Sequence, residues 1–143
     1  MERRQFIKSA CVACAGMATM LPLLNGCSSS AQLVQAALNG DELHVPFTAF
    51  AEKDWVIVRS KQMEFDVFLK KETADSYKAI LMRCSHRNNP VQRTSTGFVC
   101  HEHGSRFNSD GVVLTEPASK NLTELPTIVK ETYVSIKFRL PQI

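Results

Sequence analysis

The 143-residue sequence predicts an all-β domain that carries two ligand-bearing loops. Short apolar or alternating runs recur along the body of the chain, separated by turn residues, which is the pattern of strands. Few stretches repeat with a helical period. Two compact Cys/His motifs lie between such runs and supply the loops.

The first segment reads as a targeting signal. Residues 1–8 are charged, with adjacent Arg3 and Arg4, and a mostly apolar run follows over 9–24. That run is shorter than the roughly 20 apolar residues a spanning helix needs, and Pro22 interrupts it. The layout is that of a cleavable signal over 1–26, not a permanent membrane helix. Cys11 and Cys14 form a C-x-x-C pair, but they fall inside the stretch expected to be discarded.

The string from Arg3 to Lys8 resembles a twin-arginine export signal, and Leu24-Asn25-Gly26-Cys27 resembles a bacterial lipoprotein box. The resemblance implies export, lipidation of Cys27 and membrane attachment through that lipid. Residues 27–40 are then the anchor tether and first strand, and 41–143 the functional domain. Of 17 basic and 14 acidic residues, three basic and one acidic precede Cys27, so the remainder is nearly neutral. No basic stripe interleaved with aromatics is present, which argues against nucleic acid as a partner.

Strands are expected over 33–38, 42–47, 55–59, 65–70, 77–83, 97–100 and 112–114, with two more within 127–138. Asn39-Gly40-Asp41 is placed as a tight hairpin turn, because Asn and Gly accept the positive φ that such turns need. Lys130-Glu131-Thr132 turns the last hairpin. Trp55, Val56, Ile57, Phe65, Phe68 and Phe138 have strand-like settings and are assigned to the core.

Chemistry concentrates between residues 84 and 122. Cys84-Ser85-His86 gives C-x-H, and Cys100-His101-Glu102-His103 gives C-x-x-H on a second loop. Two cysteines and two histidines suit either a tetrahedral zinc or a two-iron centre in which one iron takes both thiolates and the other both imidazoles. Zinc sites more often use C-x-x-C or H-x-x-x-H, so the spacing favours two irons.

These motifs, with the continuation Gly104-Ser105-Arg106-Phe107-Asn108-Ser109-Asp110-Gly111, resemble the two cluster loops of Rieske proteins. Glu116-Pro117-Ala118 is similar to the proline loop that covers the cluster in that family. The resemblance implies a Rieske-type antiparallel β-sandwich with a cluster-binding subdomain of two loops, and one [2Fe-2S] cluster per chain, bound by Cys84, His86, Cys100 and His103. It places Gly104, Ser105, Phe107 and Pro117 around the cluster, Ser105 as a hydroxyl donor to a bridging sulfide. His101 is left as an exposed loop residue, and His44 as a structural or solvent-facing one. Asp110-Gly111 reads as a turn, with Phe107 packing beneath it.

Respiratory Rieske subunits carry two extra cysteines joining the loops; the matching positions here are Asn89 and Glu102, so that disulfide cannot form. Phe107 stands where that branch has a hydrogen-bonding tyrosine. The departures resemble Rieske ferredoxins and small subunits of molybdenum oxidoreductases. The implied activity is single-electron transfer in the cell envelope, between redox protein partners or within a larger oxidoreductase complex. The competing readings are a zinc-stabilised binding module and a ferredoxin of an oxygenase system.

Overall fold

The structure, a computed structural model, describes residues 32–138; the leader, Cys11, Cys14 and Cys27 lie outside the described residues. Thirteen short strands are present among them: β1 (Leu33–Gln35), β2 (Leu38–Asn39), β3 (Glu42–Pro46), β4 (Trp55–Arg59), β5 (Val67–Lys71), β6 (Tyr77–Leu81), β7 (Gln92–Arg93), β8 (Gly97–Val99), β9 (Arg106–Asn108), β10 (Val113–Thr115), β11 (Glu124–Leu125), β12 (Thr127–Val129) and β13 (Tyr133–Lys137). A single 3-10 turn, Phe47–Phe50, is the helical element among the described residues. No helix there is long and apolar enough to cross a membrane.

The strands form three sheets, in the orders β1-β4-β5-β6-β11, β10-β9-β8-β7 and β12-β13-β3-β2. The five-stranded sheet is covered on both faces, which explains the continuous apolar runs Val56-Ile57-Val58, Val67-Phe68-Leu69 and Ala79-Ile80-Leu81. Val56, Val58, Val67, Leu69, Ala79 and Leu81 pack with Leu43, Val45, Val134 and Ile136 of β3 and β13. The residues between them, Ile57, Phe68 and Ile80, point the other way. They pack with Phe98, Phe107 and the two cysteines of the body, Cys84 and Cys100. The pleat thus sends alternate residues of one sheet to a structural core and to a core beneath the site.

Several expectations change in detail. The run 33–38 does not form one strand: β1 joins the five-stranded sheet parallel to β4, while β2 pairs with β3 in another sheet. Ala36 marks the changeover, donating its N–H to the Arg59 carbonyl at 2.9 Å. The hairpin turn is as expected, with Asn39 opposite Glu42 and Gly40 at φ 65°. The expected run 42–47 ends at Pro46 and gives way to the 3-10 turn. β5 begins at Val67, just after Asp66, whose carboxylate accepts two hydrogen bonds from the Arg59 guanidinium, at 2.9 and 2.7 Å. Val56, Ile57 and Phe68 are buried, whereas Trp55, Phe65 and Phe138 pack from partly exposed positions.

Candidate metal centre

Two loops present the Cys/His motifs, and their backbones repeat one hydrogen-bond pattern. In the first, Cys84 N–H donates to the Asn89 carbonyl at 2.7 Å and Asn88 N–H returns to the Cys84 carbonyl at 3.0 Å. In the second, Cys100 N–H donates to the Ser105 carbonyl at 2.9 Å and Gly104 N–H returns to the Cys100 carbonyl at 2.9 Å. Each closure needs a left-handed residue, supplied by Asn88 at φ 56° and Gly104 at φ 82°. Asn tolerates that region through its short polar side chain, and Gly enters it without a Cβ penalty.

The closures turn both cysteines inward. Cys84 and Cys100 are buried free thiols in the same packed group. Burial pushes the Cys100 thiol up; the Glu102 and His103 backbone N–H groups act against this, and the hydrogen-bonded Cys84 thiol adds to the rise.

The histidines meet above them. The His86 and His103 rings lie 4.9 Å apart between centroids, at 87°. His103 is exposed and His86 half-buried, and His86 Nδ1 is a buried nitrogen with no hydrogen-bond partner in the protein. Such an orphan is costly unless something else engages it. The four side chains include a thiol pair and an imidazole pair, a donor set that a two-iron centre could use.

Side chains absent from the ligand motifs lock the loops. Ser105 is fully buried, and its Oγ accepts the Ala118 N–H at 3.0 Å, joining the second loop to the proline segment. The Ser85 hydroxyl donates to the Lys120 carbonyl and joins the first loop to the same segment. Neither bond was visible in the sequence, because each crosses from one loop to a distant one. Pro117 is exposed and follows a cis peptide bond from Glu116, while Ala118 is buried.

Arg106 and Phe107, expected in a loop, form β9, with Phe107 opposite Phe98 and buried to 2%. The Asp110-Gly111 turn is present, and its organiser is Asn108, whose Oδ1 accepts the N–H groups of Asp110 and Val112, both at 2.9 Å. His101 is exposed, 2.8 Å from Gln92 Oε1. His44 lies on β3 against Tyr133, with Asn39 and Glu42 as its polar partners.

An all-β domain whose two matching loops bring together paired cysteines and paired histidines defines a class of iron–sulfur electron-transfer protein. Residues 35–128 match the model of the Rieske [2Fe-2S] domain, and the chain belongs to that family. The family implies a [2Fe-2S] cluster and electron transfer through it.

Among solved structures, the cyanobacterial plasma membrane Rieske protein PetC3 from Synechocystis PCC 6803 superposes with a TM-score of 0.52 at 22% identity. That match covers 66% of this chain and 97% of that one, and it shows a shared fold. A naphthalene 1,2-dioxygenase bound to phenanthrene gives a TM-score of 0.46 at 21% identity, covering 62% of this chain and 23% of that one. The same enzyme with indole in its active site gives 0.47 at 21% identity, with the same coverage. Comparison with curated proteins returns no significant match.

Proposed function

We propose that Cys84 and Cys100 hold one iron of a single [2Fe-2S] cluster, and His86 and His103 the other, in a carrier or oxidoreductase subunit of the cell envelope. The observation that supports this reading is the division of the donors into a buried thiol pair and an adjacent imidazole pair, one of whose nitrogens lacks any protein partner. Bound there, the group supplies a one-electron couple whose potential is raised by replacing two anionic thiolates with neutral imidazoles.

The chain's own role is to hold and shield. The matched loop closures fix both cysteines, and the core formed by Phe98, Phe107 and Val91 keeps water from the thiol side. His103 is the exposed member, so a redox partner reaches the imidazole edge first. The Ser85 and Ser105 bonds keep the proline segment against both loops.

The envelope location rests on the leader. Residues 1–26 act as an export signal, Cys27 becomes the lipid-bearing residue, 27–40 tether the domain and lead into its first strand, and 41–143 carry the cluster. The partners are then a redox donor and acceptor on the outer side of the membrane, or the other subunits of a membrane-associated complex.

Electron-spin resonance of the reduced protein tests the ligand set. Cys84→Ser, Cys100→Ser, His86→Ala and His103→Ala should each abolish the Rieske spectrum and the bound iron. His101→Ala and His44→Ala should keep both. An unaltered spectrum in any of the first four removes that residue from the set.

A further inference from the structure

Arg93 lies on β7 opposite Phe98, and β8, which carries Phe98, leads into the second site loop. Its guanidinium carbon is 5.8, 5.2 and 5.5 Å from the ring centroids of Trp55, Phe68 and Phe98. Its Nη1 donates to the Gly97 carbonyl at 3.0 Å, and its Nε is buried without a hydrogen-bond partner. None of the ion pairs among the described residues includes it. Desolvation is what shifts this group, and it disfavours the charged form, yet a guanidinium does not give up its proton in a protein.

Packing does not account for this choice of residue. Three aromatic rings would accept an unbranched apolar side chain with no orphaned N–H, and replacing a desolvated charge by a hydrophobe of similar size is often neutral or stabilising. What arginine adds is a permanent positive charge without a counter-ion. Phe98, on which it rests, belongs to the same packed group as Cys84 and Cys100. Phe98 and Cys100 are two residues apart, about 7 Å along an extended chain. The half-buried cation therefore rests on a ring of the packed group that contains the thiol pair, where its charge is screened less than in bulk water.

We propose that Arg93 is a positioning residue for charge: an uncompensated cation held under the site by three aromatic rings, which favours the form of the centre that has gained an electron. The inference rests on the two-iron reading of the site. Added negative charge on the thiol side is stabilised by a nearby fixed positive one, so the presence of Arg93 raises the reduction potential.

The test is the midpoint potential of the purified holoprotein and its Arg93 variants. Arg93→Met keeps length and apolar contact but removes charge, and its potential should shift to more negative values with the spectrum of the centre unchanged. Arg93→Lys should keep most of the wild-type potential. Thermal unfolding, measured alongside, reads the packing and hydrogen-bond loss in Arg93→Met separately from the change in charge. An unchanged potential in Arg93→Met overturns the proposal. So does an equal shift in the Lys and Met variants, which would mean geometry rather than charge. Failure of both Arg93→Met and Arg93→Gln to retain the cluster also overturns it, because a charge-positioning residue is dispensable for assembly. A wild-type protein with no Rieske spectrum would refute the site reading itself.

Discussion

Ser105 Oγ accepts the backbone N–H of Ala118 at 3.0 Å, with Ser105 fully buried and Ala118 2% exposed. One hydroxyl thus fastens the loop of Cys100 and His103 to the segment of Pro117. The hydroxyl oxygen is the acceptor in this bond, so its O–H is not used by it.

Ser105→Ala should leave the Ala118 N–H buried and unpaired, a loss of about 1–3 kcal/mol. Denaturant unfolding of the holoprotein should show that loss as a lower midpoint with an unchanged slope. A variant as stable as wild type would show that Ala118 finds another acceptor.

At Gly97, β8 lies hard against β9. A Cβ placed there would lie 2.0 Å from the Phe107 carbonyl oxygen and 2.7 Å from the Asn108 carbonyl carbon, both main-chain atoms. No side-chain rotation relieves that clash, so Gly97→Ala must push the paired strands apart. The expected cost is about 3 kcal/mol or more, at the upper end for an overpacked site. Iron content and thermal unfolding check it together, since β8 leads directly to Cys100 and β9 follows Ser105. Full cluster loading at wild-type stability would contradict this strand contact.

Much of the architecture was legible because β4, β5 and β6 are dense in β-branched and aromatic residues that a covered sheet requires. β4, at Trp55–Arg59, has the limits its apolar run suggested. β7, β9 and β11 were not legible. Each has only two or three residues, and Gln92-Arg93, Arg106-Phe107-Asn108 and Glu124-Leu125 carry no alternation long enough to read. They are strands because tertiary partners offer them a ladder. The parallel pairing of β1 with β4 was equally hidden, since Leu33-Val34-Gln35 specifies neither a partner nor a direction.

The same division holds at the site. C-x-H and C-x-x-H are local motifs and mark their loops, whereas the matched closures through Asn89 and Ser105 are main-chain bonds without a residue signature. The setting of Arg93 was also unreadable. It depends on Trp55, Phe68 and Phe98, drawn from three strands that meet only in the fold.

Acid should weaken the sheet of β3 and β13. The Ser135 hydroxyl donates to Glu42 Oε2 at 2.6 Å, His44 Nε2 is 3.5 Å from the same oxygen, and Lys137 Nζ is 3.8 Å from Oε1. The Ser135 bond, more than the contacts of His44 and Lys137 and against a desolvation effect, holds the Glu42 carboxyl below its usual range. A depressed folded-state value means that the contribution is fully present above the unfolded value of about 4.3 and is lost as pH falls through the folded one. Urea unfolding from pH 7 to pH 3 should therefore show the gap between wild type and Ser135→Ala narrowing below about pH 4. A constant gap would assign the whole effect to packing of the buried hydroxyl.

Membrane attachment should depend on Cys27. The chain beyond the leader is nearly neutral, so electrostatic attraction to anionic lipid is weak. Exposed large apolar side chains among the described residues are Leu33, Val112, Leu114 and Ile128, distributed over separate stretches of sequence. Acyl chains, at about 0.8 kcal/mol per buried CH₂, contribute far more than such residues can. Cys27→Ala should accordingly move the exported domain from the membrane to the soluble envelope fraction with its Rieske spectrum unchanged, and labelled fatty acid should no longer be incorporated. Retention on the membrane after a high-salt wash, in a variant that has lost the label, would show that a protein partner and not the lipid holds the domain there.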